Sequence, residues 1–186
     1  MLYFLKNILQ LILAPHKAWG DIAEDNRQPS WLQERGLYPL MAVMAITAFV
    51  HWFYGSEPFS VAKALESALC QFISLFAGVM VGRAVFEGVL PSLSSQQVPL
   101  ARTATVPIYC IGVLALFQIV TNLCPIWLTL FWFLPALIII IAWQARGYLN
   151  IAGDKVLAYI FTATATLVVL PLLCMFLFSL LLGLGF

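Results

Sequence analysis

The residues of this chain that could do chemistry are few, and their spacing keeps them apart. A serine hydrolase would show a GxSxG elbow, a zinc protease an HExxH helix and a nucleotide enzyme a glycine-rich phosphate loop, and none of these motifs is present. Intramembrane proteolysis needs paired carboxylates or a Ser–His pair inside the apolar segments. The acids nearest those segments, Glu66 and Glu87, stand at opposite ends of one predicted helix and cannot form a dyad along it. His16 and His51 are far apart in sequence. Cys70, Cys110, Cys124 and Cys174 show no CxxC spacing, so no metal-ligand cluster is expected. Each cysteine lies in or beside an apolar run and reads as a small, reduced, buried hydrophobe. The expectation is a non-enzymatic chain without cofactor or metal.

What does stand out is polarity placed inside apolar sequence. Ser67, Gln71, Ser74, Gly78 and Gly82 are spaced four, three, four and four residues apart and share one helical face. Small residues on such a face let helix backbones approach closely, and Gln and Ser can bond across the contact. The stripe reads either as helix packing within the chain, as a self-association face, or as a polar track. Arg83 and Glu87 follow on the same helix at a spacing that allows an ion pair. Gln118 lies deep in a later apolar run and needs a partner on another helix. Thr162 and Thr166 share a face and can bond back to carbonyls one turn earlier. Arg146, Asp154 and Lys155 bracket a short polar turn, and together with Arg83, Glu87 and Arg102 they form a candidate contact for lipid headgroups or a partner.

The elements that position these residues are five apolar runs, about Leu37–Tyr54, Ala64–Leu90, Val106–Leu123, Trp127–Trp143 and Val156–Leu182. Each is near or above the roughly 20 residues that span the hydrocarbon of a bilayer as a helix. Hydrophobic residues make up 63% of the chain and charged ones only 9%, too few charges to clothe a soluble globule of this size. The fold class read from this pattern is all-α: a polytopic integral membrane protein with a five-helix transmembrane bundle over residues 37–186. A net charge of +1 argues against nucleic acid as a partner. Of the nine Lys and Arg residues, all but Lys63 fall on one side of the predicted bundle. The positive-inside rule then places the N-terminus in the cytoplasm and, with five spans, the C-terminus outside. The last run would be roughly 46 Å long as one helix, and Pro171 in its middle predicts one kinked span. Pro135 predicts a bend in the fourth.

Residues 1–36 do not read as a signal peptide, because Lys6 interrupts the apolar core and Ala14-Pro15-His16 is a poor cleavage site. Leu2, Leu5, Leu9, Ile12 and Leu13 recur at helical spacing, with Lys6, Asn7 and Gln10 on another face. This predicts an amphipathic helix, lying in the membrane interface or docked on the bundle. The following stretch, Asp21–Gly36, is polar and reads as soluble surface, with Pro29 as a break.

The segment Leu13-Ala14-Pro15-His16-Lys17-Ala18-Trp19-Gly20-Asp21-Ile22-Ala23 resembles the entry segment of bacterial Yip-domain proteins, where a Pro shortly precedes an aromatic residue and a short helix. The resemblance continues through Leu37-Tyr38-Pro39-Leu40, Arg102-Thr103-Ala104…Pro107, and Arg146-Gly147-Tyr148 with Asp154-Lys155. It covers nearly the whole chain through short, degenerate motifs. The resemblance implies five spans, a cytoplasmic N-terminus and a place in the bacterial inner membrane. Eukaryotic members of the family act in membrane trafficking and associate with Rab-type GTPases and with one another. Bacterial members have no agreed biochemical activity. Only 36 residues stand before the first run here, against a long cytosolic region in the eukaryotic members, so Rab binding is not carried over.

The leading expectation is lateral association with lipids, other membrane proteins or a second copy of the chain. The alternative is a small-solute transporter or lipid translocator, in which Gln71, Gln118, Thr162 and Thr166 line one polar cavity. An enzyme acting on lipid headgroups would need a nucleophile or metal site that the sequence does not supply.

Overall fold

The computed structural model describes residues 1–51, 60–124 and 129–182, with side chains at 1–50, 60–124 and 136–182. Among these residues the structure is helices joined by short turns and loops, with an isolated antiparallel bridge between Ser94 and Ile151. Helix α1 spans Leu2–Leu13 and α2 spans Pro15–Asp25. Pro15 sits at the first position of α2, where its missing N–H and fixed φ suit a helix start. Asn26, at φ 42°, closes α2 in the left-handed region. Helix α3 (Pro29–Leu32), a π turn (Gln33–Leu37) and α4 (Tyr38–His51) follow without a break. Pro29, expected as a break, instead opens this helix, again at its first position. The 36/37 boundary drawn from composition therefore falls inside continuous helix.

Helix α5 runs from Val61 to Leu93, capped by the Ser60 hydroxyl accepting from the Lys63 N–H. Helix α6 spans Leu100–Leu123 and α7 spans Thr129–Tyr148. A 3₁₀ turn (Gly153–Lys155), α8 (Val156–Thr164), a second π turn (Ala165–Val169) and α9 (Leu170–Leu182) complete the described chain. Among the described residues, three helical stretches are long and apolar enough to cross a membrane: Val61–Leu93, Leu100–Leu123 and Gly153–Leu182. The expected end of the first run at Tyr54 and the expected start of the fourth at Trp127 lie outside the described residues.

Both π turns end two residues ahead of a proline, Pro39 in one case and Pro171 in the other. A proline offers no N–H to the carbonyl four residues back and its ring crowds that carbonyl. Widening the preceding turn by one residue relieves the clash, which is how a proline is carried inside a helix without ending it. At Pro171 the helix continues through a widened turn into Leu170–Leu182.

Helix α4 packs on α5 and α6, α5 packs on α6 and α9, and α2 lies against α7. At the end where α5 finishes, a clasp joins two loops. Ser95 N–H donates to the Asn150 carbonyl (2.9 Å), Ala152 N–H to the Leu93 carbonyl (3.1 Å), and Lys155 Nζ to the Ser92 carbonyl (2.7 Å). Arg102, Arg146 and Lys155 gather at this end, called the basic end below; Lys63 lies at the other.

Candidate functional site

The small-residue stripe on α5 is an internal seam. Ser67, Gln71, Ser74, Gly78 and Gly82 are all buried. A Cβ added at Gly78 would lie 2.7 Å from Pro171 Cγ and 3.2 Å from Ile111 Cδ1, and one at Gly82 would lie 3.1 Å from Leu167 Cδ2 and 3.3 Å from Pro107 Cβ. Glycine is required because α6 on one side and the α8–α9 helix on the other approach the α5 backbone directly. Within one chain this face is thus covered by α6 and the α8–α9 helix.

Gln71 and Gln118 meet at a residue the sequence reading passed over. Asn122 Nδ2 donates to Gln71 Oε1 (3.0 Å) and Thr47 Oγ1 (3.2 Å), and its Oδ1 accepts from Gln71 Nε2 (3.3 Å) and Gln118 Nε2 (3.3 Å). A further bond reaches the Met44 carbonyl at 3.4 Å. The node joins α4, α5 and α6. Thr162 and Thr166 bond instead to the Ala158 and Thr162 carbonyls of their own helix. The four polar residues expected to line one cavity therefore divide between a buried node and helical back-bonding.

Arg83 Nη1 donates to Gln33 Oε1 (2.9 Å), and Nη2 lies 3.4 Å from Glu87 Oε1. Gln33 belongs to the first π turn and is 5% exposed, so the guanidinium ties the turn to α5. Lys155 is committed to the clasp, and Asp154 is exposed on the 3₁₀ turn.

The α1–α2 hairpin is docked on the bundle through the face opposite to the one expected. Phe4, Asn7, Ile8 and Leu11 point inward, while Leu2, Lys6, Leu9 and Leu13 are exposed. Asn7 was expected on the polar side, but its Nδ2 donates to the buried Tyr109 hydroxyl at 3.0 Å. The Phe4 ring stacks on Tyr109 and fits where Gly36 and Gly112 lack side chains. Trp19 Nε1 donates to the Ile141 carbonyl (3.0 Å), and its ring stacks on Tyr148. Tyr3 and Gln10 donate to Asp25 and Asp21 across the hairpin. Burial, together with the Asp25 carboxylate, raises the Tyr3 phenol above its ordinary range and keeps it a donor.

Where this hairpin meets the basic end there is a cleft of about 390 Å³ between α2, α7 and the start of α6. His16, Trp19, Arg102, Gln144, Arg146 and Tyr148 line it. The Arg102 guanidinium lies 5.4 Å from the centre of the Tyr148 ring, and that of Arg146 lies 4.6 Å from the Trp143 ring. No family model, curated protein or solved structure matches this chain. Of the six charged residues the sequence singles out, only Arg102 and Arg146 line this cleft. His16, Gln144 and Trp19 were missed as site residues, because they lie on helices distant in sequence and no local spacing signals their convergence. Among the described residues no group of three His, Cys, Asp or Glu side chains could hold a metal.

Proposed function

We propose that the chain is a non-enzymatic, multi-pass protein of the bacterial inner membrane, of the Yip-domain type, acting by lateral association with lipids and other membrane proteins. The helix Pro29–His51 and helix α7 supply two spans beside the three long apolar helices. The N-terminus is cytoplasmic and the C-terminus outside, in keeping with the gathering of positive charge at the basic end. The observation that carries the reading is the outward face of α1. Leu2 and Leu13 are 85% and 83% exposed, with Leu9 and Lys6 between them. A leucine face interrupted by one lysine suits the boundary between acyl chains and headgroups, where the lysine stem lies along lipid and its ammonium reaches phosphate.

Depth along α5 agrees. Lys63 and Arg83 are 20 residues apart, about 30 Å of helix, which matches the hydrocarbon thickness. Arg83 bonds Gln33, and Phe4 of α1 packs on Gly36 one turn further, so α1 lies at the Arg83 edge of that slab. Leu157 and Phe161 on α8, 84% and 78% exposed, stand beyond the same edge and offer an apolar surface to a partner protein. The transporter alternative has no comparable support, since Gln71 and Gln118 bond to one node.

Nitroxide labels at positions 2, 9 and 13 in nanodiscs test the reading. Accessibility to oxygen above that to a water-soluble nickel chelate is expected at all three, and water-like values would overturn it. Proteoliposomes are expected to show neither solute flux nor lipid hydrolysis above empty vesicles; either activity would replace association with transport or catalysis.

A further inference from the structure

The cleft at the basic end is built for an anion, and we propose that it binds the phosphoryl headgroup of an anionic lipid. Its two guanidiniums are held in place by aromatic rings, Tyr148 under Arg102 and Trp143 under Arg146. Among the described residues neither has a carboxylate within ion-pair distance. No Asp or Glu lines the cleft, whereas the His16 imidazole and Gln144 amide do. Each guanidinium carries five N–H donors in a planar fork that matches phosphate oxygens. A cation–π contact attracts the guanidinium to the ring without supplying an oxygen acceptor for its N–H groups. The other cations proposed for this end differ: Arg83 faces Gln33 and Glu87, and Lys155 holds the clasp.

Two glycines border the open space. Gly20 on α2 and Gly147 on α7 line the cleft, and a Cβ on either would meet nothing within 4 Å. Neither glycine serves close backbone packing, unlike Gly36, Gly78 and Gly112, where neighbouring side chains leave no room. The volume of about 390 Å³ lies within the range of small-molecule sites.

Position points to lipid as the source of the phosphate. Gly82, next to Arg83, faces Pro107 on α6, and Arg102 lies five residues further toward the basic end, about 7.5 Å along the helix. The headgroup layer extends roughly 5–8 Å beyond the hydrocarbon on each side, so the cleft opens at headgroup depth. This depth argument rests on the placement of the bilayer between Lys63 and Arg83 proposed above; the anion-binding chemistry does not.

The test is native mass spectrometry and isothermal titration of the full chain in detergent, with short-chain phosphatidic acid, short-chain phosphatidylcholine and inorganic phosphate as probes. One equivalent of phosphatidic acid is expected to bind, at least tenfold more tightly than phosphatidylcholine. Gly147→Leu fills open space in a helix and should keep the fold while weakening binding tenfold or more; Gly20→Leu is the second, independent block. Arg102→Gln should also lose binding, whereas Lys17→Gln and Arg35→Gln, which remove charges that do not line the cleft, should not. Wild-type binding in both glycine variants, or no anion binding at all, would overturn the proposal. Inorganic phosphate binding as tightly as phosphatidic acid would overturn the lipid as its source. The nitroxide depth measurement judges the association reading separately, so the two failures are distinguishable.

Discussion

Replacing Asn122 by Leu, close to it in shape, removes the centre of the node that joins α4, α5 and α6. Four of its hydrogen bonds run to other helices: two with Gln71, one to Thr47 and one to the Met44 carbonyl. At the average of about 0.6 kcal/mol measured for interhelical bonds in a membrane protein, these contribute about 2.4 kcal/mol. The substitution also strands the amide of Gln71, which is 3% exposed, at a further ~1–3 kcal/mol. Asn122→Leu should therefore destabilise the fold by about 3–5 kcal/mol. Gln71→Leu alone should cost less, because Asn122 keeps Thr47, Met44 and Gln118. In the double variant the Gln71 amide is gone and its two bonds with Asn122 are lost only once, so its loss should fall short of the sum of the singles by about 2–4 kcal/mol. Reversible unfolding in bicelles, followed by steric trapping, measures all three. Additivity within about 0.5 kcal/mol would refute the reasoning, since it would mean that Gln71 and Asn122 do not depend on each other.

Other outcomes follow from single contacts. Gly78→Leu drives a side chain into Pro171 and should destabilise by about 1–3 kcal/mol, whereas Gly88→Ala, with nothing within 4 Å, should be neutral or stabilising in the same thermal melt. Gly36→Ala puts a Cβ 2.5 Å from Phe4 Cγ and should loosen α1, read as faster thiol labelling of an Ile8→Cys reporter; unchanged labelling would count against the docking. Tyr159→Phe deletes the 2.9 Å bond to the Ala142 carbonyl and should cost about 0.5–1.5 kcal/mol in unfolding free energy without changing the oligomeric mass.

The helical class, the long apolar stretches and the α5 stripe were legible because each is a local repeat: run length, charge spacing and a period near four. The stripe's role was legible only as a choice among packing, self-association and a solute track, since spacing shows that a face is small but not what lies on it. Pro171 and Leu167 are some 90 residues away in sequence, and only the fold brings them to Gly78 and Gly82. Asn7 misled for the same reason. A polar residue four positions from Tyr3 looks like solvent surface until Tyr109 is placed above it. Pro29 was taken as a break although the first turn of a helix tolerates proline, and the polar residues after it concealed a helix that Gln33 and Arg83 anchor. The cleft could not be read at all, because its residues come from three helices.

The two widened turns set a phase. Each holds one residue more than a regular helix would over the same path, so every side chain beyond it is rotated by about 100° relative to an uninterrupted helix. Leu170–Leu182 presents Pro171 to Gly78 only because of that rotation. A chain of the same architecture lacking Pro171 would carry one residue fewer in Ala165–Val169 and still turn the same faces inward; likewise for Gln33–Leu37 and Pro39. A one-residue gap paired with a lost proline is thus the trace by which distant relatives of this protein would align, and a comparison that forbids gaps within helices would put their last span out of register.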